Sequence, residues 1–187
     1  MAIKQTAEIY EILSKGQFIS SNSSVESVRK LFGVIEDNFT ALSRYFSEIN
    51  FTLERGDEYF YFSRPESRAD LERKIESAYK WIDILDFFKA HDNAFAPGYR
   101  FTPADILVKL NVDAMLKSKL AGLKRYTKDD RFDIAIQRLL ELLCREGFAE
   151  LENELTHSYK ILNSFSYLEN LIMSVHIPED IQDEIPE

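Results

Sequence analysis

The chain has 187 residues, with 32 acidic against 23 basic side chains for a net charge of −9, and 45% hydrophobic types including 14 Phe, 9 Tyr and 1 Trp. So many large apolar residues beside only 6 Gly and 5 Pro exclude collagen-like, low-complexity and disordered classes. The single cysteine, Cys144, excludes an intramolecular disulfide, and the longest apolar run, Tyr59 to Phe62, is too short to span a bilayer. The start of the chain lacks an apolar signal region, so a cytoplasmic protein is expected, and the acceptor patterns at Asn22, Asn38 and Asn50 read as chance matches. The acidic total argues against coating DNA through bulk charge but leaves room for a local basic patch.

In chain order, Ile3, Ala7, Tyr10 and Leu13 predict a helix over about residues 2–15, stopped by Gly16. Gln17 to Ile19 fits one brief strand, and Ser20 to Ser24 a polar loop with N-cap residues. Helical spacing then runs from Val25 to about Ile49, with a break at Gly33 or at Asp37–Asn38. The period changes to two over Phe51 to Leu53 and Tyr59 to Phe62, with Arg55–Gly56–Asp57 as the turn of a β-hairpin. A long helix follows over about Ser67 to His91, apolar nearly all round in its second half.

After a turn at Ala96–Pro97–Gly98 come a short strand at Tyr99 to Phe101 and a helix opened by Thr102 and Pro103. A further helix spans about Val112 to Leu123. The strongest one of the second half spans about Asp130 to Glu146, with Phe132, Ile136, Leu139, Leu140 and Leu143 inward. Phe148 to Leu151 and Ser158 to Leu162 read as a second hairpin, and Ser164 opens a last helix with Phe165, Leu168, Leu171, Ile172 and Val175 inward. Helix, strand, helices and hairpin thus occur twice. The expected fold is mainly α with small hairpins: tandem winged helix-turn-helix domains joined by a long central helix. The expected boundaries are 1–66 for the first domain, 67–176 for the long helix with the second, and 177–187 for a flexible acidic tail.

The residue search yields no chemistry. His91, His157 and His176 lie far apart with no metal-ligand spacing, and His91 reads as a dipole partner at a helix end. Cys144 reads as a buried inert thiol, and neither a phosphate-binding glycine loop nor a nucleophile elbow is present. No enzyme, metal or cofactor is expected.

Charge is more informative. Residues 109–131 carry seven basic against three acidic side chains, a local +4 within a chain of −9. Lys117, Lys119, Lys124, Arg125, Lys128, Arg131 and Arg138 are therefore candidate DNA-backbone contacts. Arg131, Arg138 and Arg145 form a row on the helix that a winged helix would place in a major groove. The alternative is a solvated face with Glu141 paired to Arg138 and Arg145. In the first hairpin the aromatics lie on both faces, so either the long helix or a partner covers the second face. Tyr59, Tyr61, Trp81, Phe87 and Phe88 are the candidate dimer or partner interface.

Several stretches carry a resemblance: Leu13-Ser-Lys-Gly16-Gln-Phe-Ile-Ser, the hairpin from Gly56 to Pro65, the run from Arg138 through Gly147–Phe148, the strand Ser158 to Leu162, and Phe165 at the start of the last helix. Together with the element order they resemble the MukE/MksE family, kleisin-binding winged-helix subunits of bacterial SMC (condensin-like) complexes. The shorter length looks more like MksE, or the related subunit of plasmid-restricting systems. The resemblance implies a homodimer, with its contact on the first domain and the long helix, that binds a MukF/MksF-like kleisin. It implies an SMC ATPase reached through the kleisin, DNA met within the assembled complex, and a nucleoid-associated place in the cytoplasm. It carries no catalytic residues. A winged-helix transcription regulator is the rival expectation.

Overall fold

The computed structural model describes residues 4–174. The expected tail at 177–187, the inward Val175 and the outer limit of the second domain lie outside the described residues.

The first unit comprises α1 (Thr6–Leu13), β1 (Ile19–Ser20), α2 (Glu26–Ser47), β2 (Thr52–Arg55) and β3 (Tyr59–Ser63). Gly16, at φ +77°, turns the chain after α1. The interruption expected in the next helix falls at Asn38, whose backbone leaves helical geometry at φ −126°, ψ 20°. Its side-chain amide bonds the Val34 carbonyl at 2.9 Å, so α2 continues beyond the kink as one element, and Gly33 stays helical. The strand expected at 17–19 is instead Ile19–Ser20, and it pairs antiparallel with β3, Ile19 opposite Phe60. The hairpin is therefore part of a three-stranded sheet of order β1-β3-β2.

β3 divides its aromatics by face, as a pleated strand must. Phe60 and Phe62 turn into a core with Ile9, Leu13, Ile35, Leu42 and Phe46, whereas Tyr59 and Tyr61 face the second unit. The second face of the hairpin, left open by sequence, is thus met from within the same chain.

The second unit comprises α3 (Arg68–His91), β4 (Arg100–Phe101), α4 (Pro103–Val112), α5 (Ala114–Gly122), α6 (Lys124–Thr127), α7 (Phe132–Arg145), β5 (Ala149–Asn153), β6 (Ser158–Ile161) and α8 (Phe165–Ser174). Capping boxes at Ser67–Asp70 and Thr102–Asp105 fix the starts of α3 and α4, with Pro103 in the first turn as expected. The short α6 had no periodic signal. Lys128 ends it in the left-handed region at φ +54°. The sheet order is β4-β6-β5, matching that of the first unit: a short strand paired with the far strand of a hairpin. A separate core gathers the second half of α3 with α4, α5, α7 and α8. Phe132, expected inward, is exposed because it sits in the opening turn of α7. His91 is buried, and burial together with nearby Lys109 holds its imidazole below the usual histidine range. It is therefore neutral at pH 7 and does not complement the helix dipole. No described helix is long and apolar enough to cross a membrane.

Candidate partner-binding groove

The chain turns after α1 and after α7, together with β3, α3 and α8, enclose a cleft of about 270 Å³. Its main lining residues are Phe18, Tyr61, Lys74, Trp81, Phe148 and Tyr167. Two further depressions continue it, one along Arg64 to Asp70 and one toward Arg55, Tyr59 and Ser174. Tyr61, Lys74 and Tyr167 line all three, so they form one groove between the units.

Phe18 is its hub. Its ring lies 5.8 Å from both Tyr59 and Tyr61 of the first sheet, 5.5 Å from Phe148 and 5.3 Å from Tyr167. Tyr61 meets Tyr167 edge-on at 5.0 Å, and Trp81 meets Phe148 at 5.3 Å and 88°. These edge-to-face arrangements match the ring quadrupoles and hold the lining in place. Burial pushes Tyr59 up to about 12 and also raises Tyr61, helped by the neighbouring phenols and by Asp57 and Glu54 respectively. Both are neutral hydroxyls at physiological pH. Lys74 pairs with Glu66 at 3.0 Å. Burial alone would lower its ammonium, but the bond to Glu66 and the proximity of Tyr167 raise it above its ordinary value. The groove is therefore aromatic at its centre, beside a carboxylate-paired Lys74, with further charged residues such as Arg55, Arg64 and Asp70 along the two depressions. Such a surface suits an extended segment with apolar side chains.

Of the five expected interface residues, the structure brings Tyr59, Tyr61 and Trp81 to this groove, Tyr59 and Trp81 each only 3% exposed. Phe87 and Phe88 are corrected: both are fully buried in the second core, because the second half of α3 runs through that core. Phe18, Phe148 and Tyr167 were missed. Phe148 reads in the sequence only as the start of the second hairpin, and Tyr167 falls off the inward stripe of α8, so neither carries a signal for the groove.

The basic residues are mostly engaged. Lys119 pairs with Asp86, Arg125 with Asp83, Lys124 with Asp130 at 2.5 Å, Arg131 with Asp133 at 2.6 Å, and Arg138 with Asp129 at 3.7 Å. Lys117 and Lys128 have no ion-pair partner among the described residues. Glu141 accepts from Gln137, while Arg145 pairs with Glu146, so the arginine row is neutralised by carboxylates other than Glu141. The second hairpin carries Glu150, Glu152 and Glu154, and its tip residue Leu155 is 93% exposed. An acidic hairpin with an apolar tip is poorly matched to phosphate. Burial pushes the Cys144 thiol up to about 11, which leaves it protonated. Among the described residues no group of three or more His, Cys, Asp or Glu is arranged to hold a metal ion.

A comparison with curated proteins returns no match. A family model described as condensin complex protein MksE matches residues 4–172, which takes in both units and the groove between them. The chain belongs to the MksE family of condensin complex proteins.

Proposed function

We propose that the chain is the non-catalytic, kleisin-binding subunit of a bacterial SMC (condensin-like) complex, acting as a homodimer in chromosome organisation and segregation or in the related plasmid-restricting systems. The family match over residues 4–172 carries this reading, since a condensin complex component has partner subunits. The groove supports it: an aromatic trough between two units fits an extended kleisin segment better than a small substrate. In this reading the two units are winged-helix domains, residues 1–66 and 67–176. The SMC partner hydrolyses ATP, the kleisin links the two, and DNA is met within the assembly on the nucleoid in the cytoplasm.

Titration of the cognate kleisin into the purified protein tests the proposal. Binding with micromolar affinity or tighter is expected. Tyr61→Ala combined with Tyr167→Ala weakens it at least tenfold, because buried aromatics carry most of such interface energy. Absence of binding by the intact protein overturns the reading.

A further inference from the structure

The loop Ser21–Ser24 leaves β1 and leads into α2, so both of its ends are anchored in the first unit. Its side chains reach across to the second. The Asn22 amide donates to the Ile161 carbonyl at 3.1 Å, and its oxygen accepts the Asn163 N–H at 2.9 Å. Asn163 in turn donates to the Ser21 hydroxyl at 3.0 Å. The Ser23 hydroxyl donates to Glu150 at 2.9 Å, and the Ser24 N–H donates to the same carboxylate. Lys160, on the central strand β6, donates to the Ser24 hydroxyl at 2.7 Å and lies 3.3 Å from both Glu150 and Glu152. Arg100 on β4 forks onto Glu152 at 2.6 and 2.9 Å. Arg100, then Lys160, hold the Glu152 carboxyl at about 2.

Lys160 is only 6% exposed. A buried ammonium is tolerated where every charge around it is matched, and removal of one member leaves the others desolvated and unpaired. The network should therefore open as a unit. Two further links join the units. Residues 64–73, which carry the covalent connection, are exposed throughout. The aromatic joint around Phe18 borders the open groove. The two apolar cores are separate clusters.

We propose that Lys160 is the keystone of a releasable clasp that fixes the angle between the two units and thereby the width of the groove. The clasp has this role whichever partner the groove receives. Lys160 acts as a positioning residue, and it is not a member of either apolar cluster.

Amide hydrogen exchange by NMR on the full chain tests this, together with spin-label distances between Lys30→Cys and Glu154→Cys in a Cys144→Ala background. In Lys160→Gln, the Ser24 and Asn163 amides should exchange about tenfold faster or more, while core amides of α2 and α7 keep their protection. The label distance should broaden. Ser24→Ala, which removes the hydroxyl that Lys160 donates to without unpairing a buried charge, should shift both readouts in the same direction and by less. It decides the matter alone if Lys160→Gln does not fold. Unchanged exchange and distances in the folded variants overturn the proposal. So does a uniform loss of protection across both cores, which would make the network part of the folding core.

Discussion

Gly56 is held by its neighbour rather than by its own backbone. An added Cβ would lie 2.0 Å from Cζ of Tyr59, and that ring is packed against Phe18 and Tyr61 at 5.8 and 6.0 Å. The tyrosine cannot swing away without vacating one end of the groove. Gly56→Ala is therefore expected to destabilise the protein by about 1–3 kcal/mol, the usual cost of overpacking. Trp81, the only tryptophan, sits in the groove wall and reports the change by fluorescence during denaturant unfolding. In a Tyr59→Leu background the penalty should shrink, since the two residues share one space. Gly33→Ala is the control: nothing lies within 4 Å of that position in α2, so helix propensity alone should stabilise by up to about 1 kcal/mol. Equal effects at both glycines would mean that the close approach of Tyr59 is of no consequence.

At the scale of elements, α3 has two halves with different tasks. Its second half supplies Trp81, Ile84, Leu85, Phe87 and Phe88 to the second core. Its first half lines the groove through Lys74 and also presents Leu71, Ile75 and Tyr79, spaced four apart and each close to half exposed. Such a stripe on a helix satisfies the geometry of helix–helix contact, and it is where the dimer seam is placed in the reading above. Ile75→Glu should shift the molar mass seen by light scattering from dimer to monomer. The monomer should stay folded, with the far-UV circular dichroism of the wild type and a lower melting temperature only from the lost dimer linkage, because the site is exposed within a single chain. A monomeric wild type, or a dimeric variant, removes the seam from α3. The existence of this helix was legible in sequence, as were the two hairpins and the Thr102–Pro103 start, because local periodicity and capping chemistry specify them. What one face of α3 meets was not. Phe87 and Phe88 looked like interface because a helix apolar all round has the same pattern whether its cover comes from another chain or from its own second core. α6 escaped notice because four residues carry no period. The groove was half legible. Tyr59 and Tyr61 stood out in the alternating strand, whereas Phe18 and Tyr167 acquire their role only when two segments about 150 residues apart are folded together.

For the whole molecule, the relevant quantity is how many cations of the basic stretch remain unengaged. The sequence shows a local +4 inside a chain of −9, which reads as a possible DNA contact. The fold pairs Lys119 and Arg125 with Asp86 and Asp83 of α3, residues more than thirty positions away that no local charge tally includes. Exposed pairs of this kind are worth about 0–1 kcal/mol each, so a phosphate that displaces one gains only the difference between two comparable contacts. Lys117 and Lys128 are the two of the seven candidates without an ion pair among the described residues. Two neutralised phosphates correspond to a slope of about −2 in log affinity against log salt concentration. The isolated protein is therefore expected to bind short duplexes weakly, with a slope near that value, and Lys117→Gln with Lys128→Gln should flatten it further. A transcription regulator makes the opposite demand: nanomolar affinity, a slope of about −6 or steeper from six or more phosphate contacts, and discrimination between sequences. Fluorescence anisotropy on a labelled duplex at several salt concentrations separates the two. A steep slope with tight binding would show that the acidic partners on α3 yield to DNA, and would move the function of this chain from subunit assembly to direct DNA recognition.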